Sequence, residues 1–265
     1  MKSESKIWAF GCSFTEMFVS SPYKSGNYYY YSELQQSYHW LNVLNTLFGN
    51  SFITINLGVG GSSIKSTLHH LLLSLPRIQK GDKVIIGHTS RYRDSRIISK
   101  NNSDRGTLDE LHFNASTVPY IANLSGSING LERIDLENLV NIFIKTSQSE
   151  SILDIEYDYY QLFINNIGDV LVNCGVEVYK WYTDIWSGVL DRQLKTEYSF
   201  YPEDIKTWSS NVLVDDHWSP NGHQLIGIFF KFCIDNNITE FTKKNFNRFN
   251  LSFDLKNLPF PYLPY

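Results

Sequence analysis

The apolar residues of this chain fall into two patterns, short unbroken runs and longer segments with an apolar stripe at helical spacing. The runs Lys6–Phe10, Ser51–Leu57, Lys83–Gly87 and Val176–Tyr182 have the length and composition of buried strands. Between them, Ser37–Gly49, Ile64–Leu75, 131–147 and 152–173 read as amphipathic helices. Trp40, Leu41, Leu44, Leu47 and Phe48 share one face of the first, and Gly49 is a natural stop. Leu136, Leu139, Val140 and Phe143 stripe the third. Ile155, Tyr159, Leu162, Phe163 and Val170 stripe the fourth, which Gly175 closes; both stripes are expected to pack in the core. A last helix is predicted from Pro220 to about Asn236, with Ser219 as its N-cap and Pro220 in its first turn.

Strands alternating with helices predict an α/β fold, a parallel sheet flanked by helices. Residues 16–36 are a polar, aromatic loop broken by Pro22 and Gly26, and 184–213 is irregular. From Asp94 to about Gly130 no period is sustained, and a loop of that length in a compact domain is usually a lid or an insertion. No repeat or hinge divides the chain. The expectation is one domain over 1–265, with a loop-rich insertion at about 94–130 and a C-terminal strap at about 237–265 that ends in a proline-broken tail.

Candidate chemistry sits at the ends of these runs. The first ends in Gly11-Cys12-Ser13, and a strand that stops in Gly-x-Ser lifts a hydroxyl to the carboxyl edge of the sheet, where open α/β folds bind ligands. A serine is a weak nucleophile without a base. The segment Asp215-Asp216-His217-Trp218, just before the last helix, supplies an imidazole with carboxylates beside it. In extended backbone residues two apart point the same way, so Asp215 aligns with His217 and Asp216 faces away. The competing imidazoles are His39 at the start of the first helix, His69 and His70 within the second, His88 after the third strand, His112 in the insertion and His223 in the last helix.

The second run leads into Asn56-Leu57-Gly58-Val59-Gly60-Gly61. A dinucleotide fingerprint needs its glycines in the first βα turn and a carboxylate closing the next strand, and this chain offers neither. Glycine here brings a backbone N–H close to a reacting oxygen. No metal-ligand spacing is present: His69 and His70 are adjacent on a helix and face different ways. Neither a metal nor a cofactor is expected.

Gly11-Cys12-Ser13, the Asn56–Gly61 turn and the late Asp-x-His resemble, in that order, the SGNH (GDSL-type) hydrolase superfamily, over about residues 6–236. The resemblance implies a three-layer flavodoxin-like parallel sheet flanked by helices, a triad of Ser13, His217 and Asp215, and oxyanion donors at the N–H of Ser13 and of Gly61. There are departures. Cys12 replaces the usual Asp; Val214 stands where the family more often has the triad acid; Arg91 falls where the family has an Asn donor. Thr89, Ser90 or the Arg91 guanidinium is expected to serve as third donor, with Thr89, Ser90 and Trp218 as candidate substrate contacts. Asp-x-His-Trp also resembles SGNH-type alginate O-acetyltransferases, where it precedes the serine.

Composition narrows the field. A net charge of -4 argues against a nucleic-acid partner, and no run approaches the length of a membrane span. Cys12, Cys174 and Cys233 are widely spaced and read as reduced thiols; with no leader visible before the first strand, a cytoplasmic protein is expected. Three functions fit: a serine esterase removing a small acyl group, acetyl above all, from a glycan or similar polar ester; an acyltransferase of the same architecture; and a binding protein that keeps the fold without turnover.

Overall fold

The computed structural model describes residues 4–12, 15, 38–59, 62–89, 93–100, 108–114, 120–125, 150–182 and 220–252. Strand β1 (Lys6–Gly11) is followed by helix α1 (Trp40–Leu47), β2 (Ile53–Gly58), α2 (Ile64–Ser74) and β3 (Lys83–His88). Next come β4 (Arg93–Lys100), β5 (Leu108–Asn114), β6 (Tyr120–Ser125), α3 (Glu150–Asn173) and β7 (Glu177–Tyr182). The chain continues through α4 (Pro220–Asp235), β8 (Glu240–Phe241) and α5 (Lys243–Ser252). Residues 131–147, expected as a helix, lie outside the described residues.

Five strands form a parallel sheet in the order β2-β1-β3-β7-β8, flanked by helices. This is the α/β class that the alternation of runs and stripes implies, in the flavodoxin-like order. The chain leaves β1 for β2 on one side and reaches β3 on the other, so the strand order reverses between β1 and β3.

In two places the described structure departs from the sequence reading. The stretch without periodicity contains a second sheet, antiparallel, in the order β4-β5-β6. Its register shifts between Ile97 and Ser99 and again between His112 and Phe113. Each shift reverses which residues share a face, so no single two-residue period survives in the sequence. Beyond residue 237, the expected strap begins as β8, paired parallel to β7 through Lys180–Glu240 and Trp181–Phe241, and continues as α5.

The chain divides into two compact units. The first comprises Met1–Ala9, Met17–Asn56 and Tyr179–Tyr265. In it α1 and α4 pack closely: a Cβ at Gly227 would lie 2.8 Å from the Val43 side chain and 2.9 Å from the Trp40 carbonyl. Trp40 meets Phe230 edge to face at 5.0 Å, and Phe229 meets Phe246 at 5.1 Å, so α5 is held by aromatic packing. His39 caps α1, its Nδ1 accepting from the Leu41 N–H at 3.2 Å. The buried His39 ring lies 4.8 Å from that of His223, also buried. Both imidazoles are thus packed at the α1–α4 junction.

The second unit comprises Phe10–Glu16 and Leu57–Val178. Ile64, Leu68 and Leu71 of α2, Val84, Ile85 and Ile86 of β3, and Ile164 and Leu171 of α3 are among its buried residues. The starts of β3 and β7 are tied by the Glu177 N–H donating to the Asp82 carbonyl at 3.0 Å and by the Lys83–Glu177 ion pair. Gly175, which the sequence marks as the close of this helix, follows α3 in the left-handed conformation at φ +80. The orientation of α3 corrects an expectation: Ile155, Tyr159, Leu162, Phe163 and Val170, predicted as core, are exposed, and Ile164 and Leu171 on the opposite side are buried.

Candidate active site

Open parallel sheets hold ligands outside the carboxyl ends of their strands, at the point where the strand order reverses. Here that point lies between β1, ending at Gly11, and β3, ending at His88. The approach of the two strand ends is close: a Cβ at Gly11 would lie 3.3 Å from the Gly87 Cα and would collide with the Thr15 hydroxyl. Only glycine fits there.

The end of β1 is also bonded to the turn after β2. The Gly11 carbonyl accepts from the Val59 N–H at 2.9 Å and from the Ser62 hydroxyl at 3.1 Å. Ser62 N–H donates back to the Val59 carbonyl at 3.1 Å, and the Ser63 hydroxyl caps α2 by accepting from the Ser66 N–H. After β1 the chain returns at once, the Thr15 N–H donating to the Cys12 carbonyl at 2.8 Å. Cys12, Thr15, Ser62 and Ser63 are all buried. The positions that flank Ser13 and Gly61 in sequence are therefore fixed to one another through a single carbonyl oxygen.

At the end of β3, His88 and Thr89 are 1% and 2% exposed. The Thr89 hydroxyl is buried without a hydrogen-bond partner among the described residues, and an unpaired buried hydroxyl ordinarily costs about 1–3 kcal/mol. Of the residues nominated from sequence, Thr89 is described; Ser13, Gly61, Ser90, Arg91, Asp215, His217 and Trp218 lie outside the described residues. Helix α4, which follows the Asp-x-His segment, begins at Pro220 as expected. Two buried polar residues, His88 and Thr15, belong to this junction; sequence reading weighed His88 only as a competing imidazole and gave Thr15 no part in it. The signal for His88 was available, since it is an ionisable residue at the end of an apolar run.

Among the described residues there is no group of three or more His, Cys, Asp or Glu that could hold a metal ion, and no helix is long and apolar enough to cross a membrane.

No protein-family model matches the sequence, and no curated protein matches it. Among solved structures, the chain is similar to a protein of Desulfitobacterium hafniense DCB-2 assigned to the G-D-S-L family of lipolytic proteins. The match has 10% identity and a TM-score of 0.31, covering 84% of this chain and 96% of that one. A likeness at that level says nothing of activity or of residues.

Proposed function

We propose that this chain is a serine ester hydrolase that removes a small acyl group, acetyl above all, from a carbohydrate or similar polar ester. In this reading Ser13 Oγ attacks the ester carbonyl while His217 takes its proton, and Asp215 accepts from the other imidazole nitrogen to hold the ring. The N–H groups of Ser13 and Gly61 stabilise the oxyanion, joined by the Thr89 hydroxyl or by Ser90 or Arg91. The C–O bond to the alcohol then breaks, the leaving oxygen taking the proton from His217. Water, deprotonated by the same imidazole, attacks the acyl-serine; the carboxylic acid departs and Ser13 regains its proton.

The observation that carries the proposal is the bonding at the strand-order reversal, where the Gly11 carbonyl joins the end of β1 to the turn after β2. This supports a nucleophile after β1 and a backbone donor after β2 that are kept in register. The Thr89 hydroxyl, buried and without a hydrogen-bond partner among the described residues, supports a donor role for that residue, because a buried hydroxyl is costly to leave unpaired. One residue favours a second reading, transfer of the acyl group to a sugar hydroxyl: Trp218 completes the Asp-x-His-Trp resembling the O-acetyltransferases.

A fluorophosphonate probe tests the nucleophile. Labelling of the folded chain that disappears in Ser13→Ala is expected; failure of the folded wild type to label would turn the reading toward a binding protein. Acetylated glycan offered with and without a sugar acceptor then separates hydrolysis from transfer.

A further inference from the structure

Helix α3 has two apolar faces. Ile164 and Leu171 point inward and are buried, and Lys65 of α2 lies over the ring of Tyr160 at 5.9 Å. On the opposite side Ile155, Leu162 and Val170 are 68%, 56% and 61% exposed, with Tyr159 and Phe163 between them. The rings of Tyr159 and Phe163 lie 4.8 Å apart, so the aromatic middle of this stripe is a continuous surface. A free apolar stripe along a helix is usual in an assembly seam and unusual on a solvated face.

The order of residues along the stripe identifies what fits it. About the midpoint between Leu162 and Phe163 the positions are symmetric: Tyr159 matches Asn166, and Ile155 matches Val170. A second α3 laid antiparallel across a two-fold axis sets Ile155 against the other copy's Val170, and Tyr159 against its Asn166. Leu162 then meets Phe163 at the centre. β-Branched residues close both ends, and the one polar position of the seam, Asn166, faces a phenol that can bond with it. A parallel pair would instead align the two helix dipoles.

We infer that the chain forms a symmetric dimer through the outward face of α3, packed antiparallel against the same helix of a second copy. The size is adequate: the exposed apolar side chains offer on the order of 500 Å² per copy, so a pair buries on the order of 1,000 Å² before polar flanks are added, the lower bound for a specific interface. Helix α3 has five acidic residues and no Lys or Arg, with Asp158 and Asp169 along one edge of the stripe. Their mutual repulsion at the rim makes the dimer tighten as salt is added. A basic partner helix would show the opposite dependence.

Sedimentation velocity on the full chain, from micromolar to hundreds of micromolar at low and high salt, tests this. The expected result is a monomer–dimer equilibrium strengthened by salt and weakened on the order of 100-fold by Leu162→Glu, which sets like charges across the axis. Circular dichroism checks that this variant is folded, and Val170→Glu serves in its place if it is not. Register is read by oxidative cross-linking in a Cys174→Ser background. Ile155→Cys with Val170→Cys should give a disulfide dimer, and Ile155→Cys alone should not. A monomer at every concentration, an equilibrium untouched by the glutamate variants, a dimer weakened by salt, or cross-linking of Ile155→Cys alone would each overturn the inference.

Discussion

At the scale of single residues, the junction at the strand ends makes separable demands on stability and on catalysis. The Thr89 hydroxyl is buried and has no hydrogen-bond partner among the described residues, so Thr89→Val, which replaces it with a methyl of similar shape, is expected to stabilise the fold by about 1 kcal/mol. If Thr89 donates to the oxyanion, the same variant loses on the order of two to three decades in kcat with little change in KM. Urea unfolding and steady-state kinetics on one preparation read both effects; a stabilised variant of undiminished kcat would move the donor to Ser90 or Arg91. Ser62→Ala removes one of the two donors to the Gly11 carbonyl, the other being the Val59 N–H. A loss of about 0.5–1.5 kcal/mol in unfolding free energy is expected. The bases are distinguished by comparing His217→Ala with His88→Ala. Hydrolysis should collapse in the first, and loss confined to the second would transfer the proton-shuttling role to the buried imidazole at the end of β3.

At the scale of elements, the α1–α4 contact depends on the absence of a side chain. Gly227 lies within a helix, where glycine is ordinarily a poor residue, yet a Cβ there would sit 2.8 Å from Val43. Gly227→Ala should therefore destabilise the protein, by about 1–3 kcal/mol, although alanine is the better helix former. Chemical denaturation decides between the two effects, and a stabilised variant would show that the helices have room to separate. The insertion gives the converse lesson. Its three strands are held by cross-strand pairing, not by an alternating sequence, and the two register shifts hide them from any search for periodicity.

For the molecule as a whole, the buried thiol of Cys233 links stability to pH. Burial pushes it up to about 12 from 9.0. Above pH 9 the unfolded chain gives up this proton and the folded chain keeps it, so the unfolded state binds fewer protons and stability falls as pH rises. Below pH 9 both states are protonated and the group contributes no slope. Between pH 9 and 12 the loss approaches about 1.4 kcal/mol per pH unit, and Cys233→Ala should remove that part of the dependence. In the native protein a thiol reagent should modify the exposed Cys174 and spare Cys12 and Cys233 until the chain unfolds.

Sequence by itself determined the α/β class, because strands buried on both faces must be written as unbroken apolar runs and the helices between them as stripes. It determined the helix ends at Gly175 and Pro220, since backbone conformation at those points is local chemistry. It also set the end of the first strand at Gly11, where the structure admits no side chain. Tertiary structure alone decided which face of α3 turns inward. The helix offers two apolar faces, and the sequence ranks the longer stripe first. The structure buries the narrower face of Ile164 and Leu171, with Gly168 between them. Periodicity shows that a helix has an apolar side, and the choice between two such sides belongs to the partners it meets. The same holds for His39 and His223, far apart in sequence and ordinary in their local patterns, whose burial against each other follows from the closeness of α1 and α4 that Gly227 permits.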